Sequence, residues 1–304
     1  MTGGAAMPAA ALDHCLACGG RSIRPRAMRY THRGTDYPLV ECRTCGMRFL
    51  AVQPAGEALA GLYDADYFAG EYRCGRAAGT SFDEASFRDE NRGLLDAFAG
   101  LGTSGRLLDV GCATGWLVEH ANARGWRAQG VELSAEAVAH ARARGLDVFH
   151  GDLLSARLPA STFDLVYLGD VLEHVPDCRA VIAEVARILA PGGWLYLRGP
   201  TTTHSIARGL ALRLYGALGR PIVLEEPPYH LWEFTPRSLV RLVAGCGLQV
   251  VRVRQSKIPP GQTRGRKSPL QRAAMAALDA ANLPITTLFN VLGDRIVLIA
   301  RKPA

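Results

Sequence analysis

From Arg106 to the end of the 304-residue chain, short apolar runs alternate with helix-like stretches, and this alternation restricts the fold more than any other feature. Strands are expected over 106–110, 127–132, 146–149, 163–168, 193–199, 247–255 and 293–301. Helices are expected at about 115–125, 134–144 and 178–189. Gly145, Pro191-Gly192-Gly193 and Gly247 punctuate their ends, as residues that interrupt regular structure do. Strands alternating with helices need a mostly parallel sheet covered on both faces. Hydrophobic residues make up 48% of the chain, enough to fill such a core.

In sheets of this type ligands sit beyond the carboxyl ends of the strands. The first strand runs into "LLDVGCATGW", residues 107–116, where an apolar run ends in an acid and a small-residue turn. Gly111 and Gly115 let the backbone bend and approach a ligand closely. The helix that follows offers unpaired N–H groups to an anion. Glu132 ends the second strand, 21 residues after Gly111, where a carboxylate can accept both hydroxyls of a ribose. Asp152 follows the third strand, in reach of an adenine amine. The spacing suits a nucleoside carrying a charged group. It does not supply the G-x-G-x-x-G of dinucleotide-binding turns.

Together with "FDLVYLGDVLEHVPD" and "ILAPGGWLYL", this order of segments resembles the class I S-adenosylmethionine (SAM)-dependent methyltransferases over roughly residues 60–304. The resemblance implies an α/β fold with a Rossmann-like, seven-stranded, mostly parallel sheet, closed by an antiparallel strand at "DRIVLIARK". It implies that Asp109, Gly111, Ala113 and Gly115 cradle the methionine part of SAM. Glu132 and Leu133 would hold the ribose side, Asp152 and Leu153 would flank adenine, and Leu168, Gly169 and Asp170 would close the pocket. Ala113 stands where many members have glycine, a departure that a methyl group makes tolerable.

The amino-terminal region carries Cys15-x2-Cys18 and Cys42-x2-Cys45, each pair followed by a glycine, Gly19 or Gly46. Four thiolates at this spacing suit tetrahedral zinc, and the glycine lets backbone N–H groups turn toward sulfur. A short segment with few large apolar residues gains most of its order from such a metal, so the zinc is expected to be structural. An amino-terminal zinc ribbon ahead of this domain resembles a group of bacterial methyltransferases. Cys74, Cys112, Cys178 and Cys246 are scattered and read as packing residues. The domains are therefore expected as a zinc ribbon over 1–50, a helical connector and pocket cap over 51–104, and the methyltransferase domain over 105–304, with an insertion or lid at 201–235.

Methyl transfer from a sulfonium is an in-line displacement, and a base is needed only where the acceptor must lose a proton. Asp170 and His174, just past the fourth strand, and His230 in "PPYHLWEFTP" are the catalytic candidates. The run Asp170-x-x-Glu173-His174 also resembles the E-x-x-E-H divalent-metal site of ubiquinone-pathway and small-RNA O-methyltransferases, which would bring Mg2+. Apolar residues at 206, 210, 214 and 218 with flanking arginines make a stripe that suits core, lid or a weak membrane-surface contact. Tyr63, Tyr67, Phe68 and Tyr72 suit a cap over the SAM pocket or a joint between modules. The loop "SKIPPGQTRGRKSPLQR" suits a solvated loop or a contact for an acidic substrate.

The expected partner is a small-molecule, sugar or lipid-linked acceptor. The alternative is RNA, gripped by seven arginines between Arg21 and Arg48 in a chain of net charge +7. Against RNA stand the scarcity of stacking aromatics in the ribbon and the lack of an Asn/Asp-Pro-Pro-Tyr motif after the fourth strand. No run of about 18 apolar residues predicts a membrane span. The N-terminus has no basic start with an apolar core behind it, and with eight cysteines this points to reduced thiols in a cytoplasm.

Overall fold

A computed structural model describes residues 9–54, 59, 61–62, 84–201, 206–256, 277, 280 and 282–304. Tyr63, Tyr67, Phe68, Tyr72 and the loop from residue 257 lie outside these described residues.

The larger sheet has seven strands: β6 (Arg106–Val110), β7 (Arg127–Glu132), β8 (Val148–His150), β9 (Phe163–Gly169), β10 (Leu189–Pro200), β13 (Gln249–Ser256) and β14 (Arg295–Arg301). Their order is β13-β14-β10-β9-β6-β7-β8. Neighbours from β8 to β10 are parallel, and β14 runs antiparallel to both β10 and β13. This is the Rossmann-like sheet with one reversed strand. The order turns back between β6 and β9, so their carboxyl ends open a crevice. Strand interiors such as Leu107, Leu108, Leu165, Val166 and Leu195 are fully buried, as a sheet covered on both faces requires.

The helices are α1 (Glu84–Ala99), α2 (Trp116–Ala123), α3 (Ala135–Ala143), α4 (Cys178–Ile188), α5 (Ile206–Ala217) and α6 (Pro236–Ala244). Ser134 and Asp177 cap α3 and α4 by accepting the N–H of Ala137 and Ala180. Thr235 and Ser238 form a reciprocal capping box on α6, with Pro236 at its first turn. Strand β8 starts two residues later than its apolar run suggests. Gly145 at φ 75° and the bond from Leu146 N–H to Ala141 carbonyl still belong to the end of α3. Strand β10 starts earlier, because Pro191–Gly193 form a bulge against β9 rather than a break.

The second sheet is built from β2 (Ile23–His32), β3 (Thr35–Cys42) and β4 (Arg48–Leu50), extended by β11 (Ile222–Leu224) and β12 (Trp232–Glu233) in the order β11-β2-β3-β4-β12. Beside it β1 (Ala9–Ala11) pairs with β5 (Val52–Pro54). The cysteine-bearing sheet thus takes its two edge strands from the 201–235 segment. Phe49 meets Trp232 at 5.7 Å between ring centroids. One cluster of buried side chains runs from Cys15, Met28 and Phe49 through Trp232 and Leu242 to Val166 and Leu197, so the two sheets share a core.

Candidate functional site

The turn after β6 is held in a left-handed backbone at three residues, Gly111 (φ 73°), Ala113 (φ 48°) and Gly115 (φ 79°). A side chain at Gly111 would collide with Val171, so glycine is required there by space as well as by backbone. The N–H groups of Gly111 and Cys112 donate to the Val131 carbonyl at 2.8 and 3.2 Å. The N–H groups of Ala113 and Ser134 each donate to one oxygen of buried Glu132 at 2.8 Å. Glu132 therefore fixes the turn and still has lone pairs for a diol. Gly115 caps α2 without any side-chain bond, which leaves the first-turn N–H groups of α2 to an anion.

Asp109 is buried at the floor of this turn, and no hydrogen bond from the described residues reaches its carboxylate. Burial, with the neighbouring Glu132 charge, pushes its pKa up to about 7. Burial likewise raises Glu132. Asp152 accepts the Ser155 N–H at 2.6 Å and so shapes its own turn. Leu153 is buried, while Leu133 is 56% exposed just past the end of β7, an apolar surface on which a flat base can lie. A floor carboxyl, a helix terminus, a diol acceptor and an apolar slot follow one another along the strand ends.

Past β9 the chain turns through Asp170 at φ 56°. Asp170 is held by Arg198 at 3.3 Å and Arg295 at 3.2 Å, from the ends of β10 and β14. This corrects the divalent-ion expectation. Asp170 turns toward two guanidiniums and does not complete a set with Glu173 and His174. Glu173, His174 and His230 do bring ligand atoms within 4.8 Å of one another. Two imidazoles and one carboxylate are not the oxygen-rich set that Mg2+ demands.

These three residues and Glu233 instead form a network of two acid–imidazole pairs. His174 donates its Nδ1–H to the Tyr229 carbonyl at 2.9 Å, which turns Nε2 toward Glu173 Oε1 at 3.8 Å. His230 Nδ1 lies 3.6 Å from Glu233 Oε1, and the two imidazole rings meet edge to face at 5.0 Å. Glu173 and Glu233 are only 2% and 3% exposed, so their charges are expensive unless paired. Burial and Asp170 push Glu173 up to about 8. Burial and His230 push His174 down to about 3. Burial alone would lower His230, but Glu233, Glu173 and Asp170 together lift it to about 9. The cluster therefore favours the charged form of His230 against Glu233, while burial favours the neutral forms of Glu173 and His174. Glu233, Arg198 and Arg295 were not among the residues singled out from sequence. The spacing His230-x-x-Glu233 was the available signal for the first.

The four cysteines also converge. Cys15 and Cys45 sulfurs are 3.5 Å apart, Cys18 and Cys42 sulfurs 3.6 Å, and all four lie within 4.8 Å. Four thiolates at about 2.3 Å from one zinc would stand about 3.8 Å apart, so the cluster fits that ion. Gly19 and Gly46 have left-handed backbones, and their N–H groups donate to the Cys15 and Cys42 carbonyls at 2.7 and 2.8 Å. Burial would raise the Cys42 thiol, yet the N–H groups of Cys45 and Thr44 aimed at its sulfur hold it below the usual range. The ribbon arginines face inward in part: Arg24 and Arg48 both donate to Glu41, and Arg26 lies 3.6 Å from it.

Residues 82–253 match the family model described as "Methyltransferase domain". A "Ubiquinone biosynthesis O-methyltransferase" of Burkholderia pseudomallei (strain 1710b) is 28% identical over 172 residues, covering 53% of this chain and 71% of that protein. A protein of the same description from Burkholderia cenocepacia is 29% identical over 174 residues, covering 53% and 72%. A solved "SAM dependent methyltransferase" from Archaeoglobus fulgidus superposes with a TM-score of 0.51 at 16% identity, over 79% of this chain and 100% of that one. At that identity the superposition speaks for the fold alone.

Proposed function

The chain belongs to the methyltransferase-domain family and is a SAM-dependent methyltransferase, and from that premise we propose that it methylates a hydroxyl of a small-molecule acceptor. His230 takes the hydroxyl proton, with Glu233 behind it. The observation that carries this reading is half-buried His230 paired with buried Glu233 and grouped with Glu173 and His174, on the segment past β9 whose Val171 packs against Gly111 of the turn. An imidazole backed by a buried carboxylate is the usual means of deprotonating a hydroxyl. The O-methyltransferase relatives support an oxygen acceptor.

In this reading the amino end of α2 binds the donor's carboxylate and Asp109 its ammonium. Glu132 takes the ribose diol, and Asp152, Leu153 and Leu133 hold the adenine. When bound, SAM supplies an electrophilic methyl on a sulfonium with a good leaving group. The chain's own task is to line up the acceptor oxygen, the methyl and the sulfur, and to remove one proton. Asp170, neutralised by Arg198 and Arg295, braces the wall between the donor and acceptor sides. The four cysteines hold a structural zinc. Because Arg24, Arg26 and Arg48 converge on Glu41, the ribbon presents less free positive charge than its sequence suggests, which weighs against RNA as the acceptor.

The test incubates the protein with methyl-labelled SAM and a panel of phenols and sugar hydroxyls. For any acceptor found, His230→Gln should lower kcat by about 10²- to 10⁴-fold while S-adenosylhomocysteine affinity holds. Between pH 6 and 9 the rate should rise with pH, since His230 must be neutral to act, and Glu233→Gln should move that limb toward lower pH. A His230→Gln enzyme with an unchanged rate and pH profile would remove the base assignment.

A further inference from the structure

Both cysteine knuckles are gripped from the methyltransferase side of the chain. Arg179 on α4 donates Nε to the Leu16 carbonyl at 2.8 Å and Nη2 to the Ala17 carbonyl at 3.3 Å, inside the first knuckle. The Thr235 hydroxyl, which caps α6, donates to the Cys45 carbonyl at 3.0 Å, and its methyl packs on Gly46. From there β12 runs back along β4, with Trp232 opposite Phe49 and Glu233 opposite Arg48.

That pairing extends across four strands in one register row: Arg24 on β2, Glu41 on β3, Arg48 on β4 and Glu233 on β12. Signs alternate along the row, and directly opposed side chains of this kind stabilise a sheet. Glu41, Arg48 and Glu233 are all buried. Glu41 receives Arg48 Nε at 2.9 Å, and Glu233 closes the row on His230 at 3.6 Å. Strand β12 also fixes the other acid of the acceptor cluster. Leu231 N–H donates to the Glu173 carbonyl at 2.8 Å, Trp232 N–H to the same oxygen at 3.3 Å, and Trp232 Nε1–H to the Val175 carbonyl at 2.6 Å. Leu50 N–H on β4 donates to the Leu231 carbonyl at 3.1 Å, which ties this strand to the ribbon.

The donor cradle is tied elsewhere. Its turn is bonded to Val131 and Glu132 on β7 and braced by Arg144, which lies 4.9 Å from the Trp116 ring and reaches Glu119 at 3.0 Å. Among the described residues none of these bonds involves the cysteine sheet.

We propose that the four-cysteine module is the scaffold of the acceptor half of the site, so that metal ligation sets the positions of His230, Glu233 and the Glu173 loop while the donor half folds without it. Ligating four thiolates contributes folding free energy that a 50-residue segment of this composition otherwise lacks. The bonds above deliver that order to β12, α4 and α6; the cradle shares an apolar core with the cysteine sheet, but none of these bonds enters it. The chemical consequence is a metal- and thiol-sensitive enzyme. Loss of zinc, or oxidation of its ligands, leaves SAM bound next to an acceptor pocket that no longer holds its base.

This inference rests on the reading that His230 faces the acceptor, but its test needs no turnover. The full chain, purified with zinc, is compared with the same protein after a strong zinc chelator, by hydrogen exchange and by calorimetry with S-adenosylhomocysteine. Exchange should rise by about tenfold or more in segments 171–176 and 229–235, while 106–120 and 128–134 keep their protection. The affinity for S-adenosylhomocysteine should stay within about twofold. Affinity lost in step with zinc would mean that the module staples the whole fold, and unchanged exchange at 229–235 would mean that it stands apart. Either result overturns the proposal.

Because the chelated protein could aggregate, Arg48→Met supplies a second route with zinc retained. It should shift the His230 ring resonances and raise exchange at 229–235 at unchanged zinc content and unchanged S-adenosylhomocysteine affinity, with Arg48→Lys in between. Unmoved His230 resonances in Arg48→Met would likewise overturn it. A failure of the base assignment, read from His230→Gln rates, leaves these exchange results intact, so the two ideas fail separately.

Discussion

Replacing Asp109 with asparagine should strengthen the empty fold and cripple donor binding in the same stroke. Asp109 is buried on the floor of the turn, with a folded pKa of about 7 where an unfolded chain has about 3.9. A carboxyl whose folded pKa is raised favours folding only while it is protonated. Its contribution is complete below pH 4 and is lost as pH climbs through 7. The full difference corresponds to about 4 kcal/mol, more than half of it between pH 5 and 8. Asparagine is nearly isosteric and cannot ionise, so it avoids that loss. After about 1–2 kcal/mol for imperfect pairing of its amide, the variant should gain about 2 kcal/mol at pH 8 and lose about 1 kcal/mol at pH 4. Donor binding moves the other way. A charge-assisted contact to the donor ammonium contributes about 1.5–3 kcal/mol, so SAM affinity should fall roughly 10- to 150-fold. Urea unfolding of both proteins at pH 5 and 8 reads the first effect, and the difference between them cancels the other titrating groups, Glu173 included. Calorimetry with SAM reads the second. An asparagine variant no more stable than the parent at pH 8, with the same slope between pH 5 and 8, would show that the carboxyl is not held protonated.

Other perturbations test neighbouring parts of the same architecture. A methyl group at Gly130 would run into the Cys112 sulfur, so Gly130→Ala should destabilise by about 1–3 kcal/mol in urea unfolding, and adding Cys112→Ala should recover most of it. Glu132→Gln keeps an acceptor for only one of the Ala113 and Ser134 N–H groups. It should cost about 1–3 kcal/mol of stability and weaken SAM, whereas full affinity would argue against the ribose role. Metal analysis of the purified chain should find about one zinc per molecule, lost together with the Cys15→Ser or Cys42→Ser substitution; a metal content well below half would dismiss the four-thiolate site.

The turn after β6 and its partner Glu132, the proposed donor side, are legible in sequence because they are local. Gly111, Ala113, Gly115 and Glu132 lie on two adjacent strand ends, and each announces itself through a residue type that its backbone or its bonding requires. The cysteine pairs are legible for the same reason, since each knuckle closes on its own glycine. The cluster past β9, the proposed acceptor side, is built from long-range meetings that no window contains. His174 bonds to Tyr229 across 55 residues, and Asp170 meets Arg295 across 125. Strands β11 and β12 are three and two residues long, too short for any periodicity, so the union of the 201–235 segment with the cysteine sheet left no trace in the pattern. Asp170 read as an acid ready for chemistry or for a metal because its guanidinium partners stand at the ends of strands far along the chain.

The proposed donor and acceptor halves should also communicate through charge, and this can be measured. His230 is held at about 9 by Glu233, Glu173 and Asp170, so at pH 8 it rests mostly protonated and cannot accept a proton. SAM and S-adenosylhomocysteine share the same ammonium, carboxylate and nucleoside, and differ in the positive charge on sulfur. A unit charge placed about 6 Å from an imidazole, at an effective dielectric of about 20, contributes about 3 kcal/mol, and a sulfonium that close would lower His230 by roughly 2 pH units. Binding SAM at pH 8 should therefore release close to one proton more than binding S-adenosylhomocysteine does, while the proton from Asp109 is common to both. Calorimetry in buffers of different ionisation enthalpy counts those protons directly. The excess should vanish in His230→Gln. If SAM and S-adenosylhomocysteine release equal numbers of protons from the parent protein, the base is not within electrostatic reach of the reacting sulfur, and the site assembled past β9 serves some purpose other than deprotonating the acceptor.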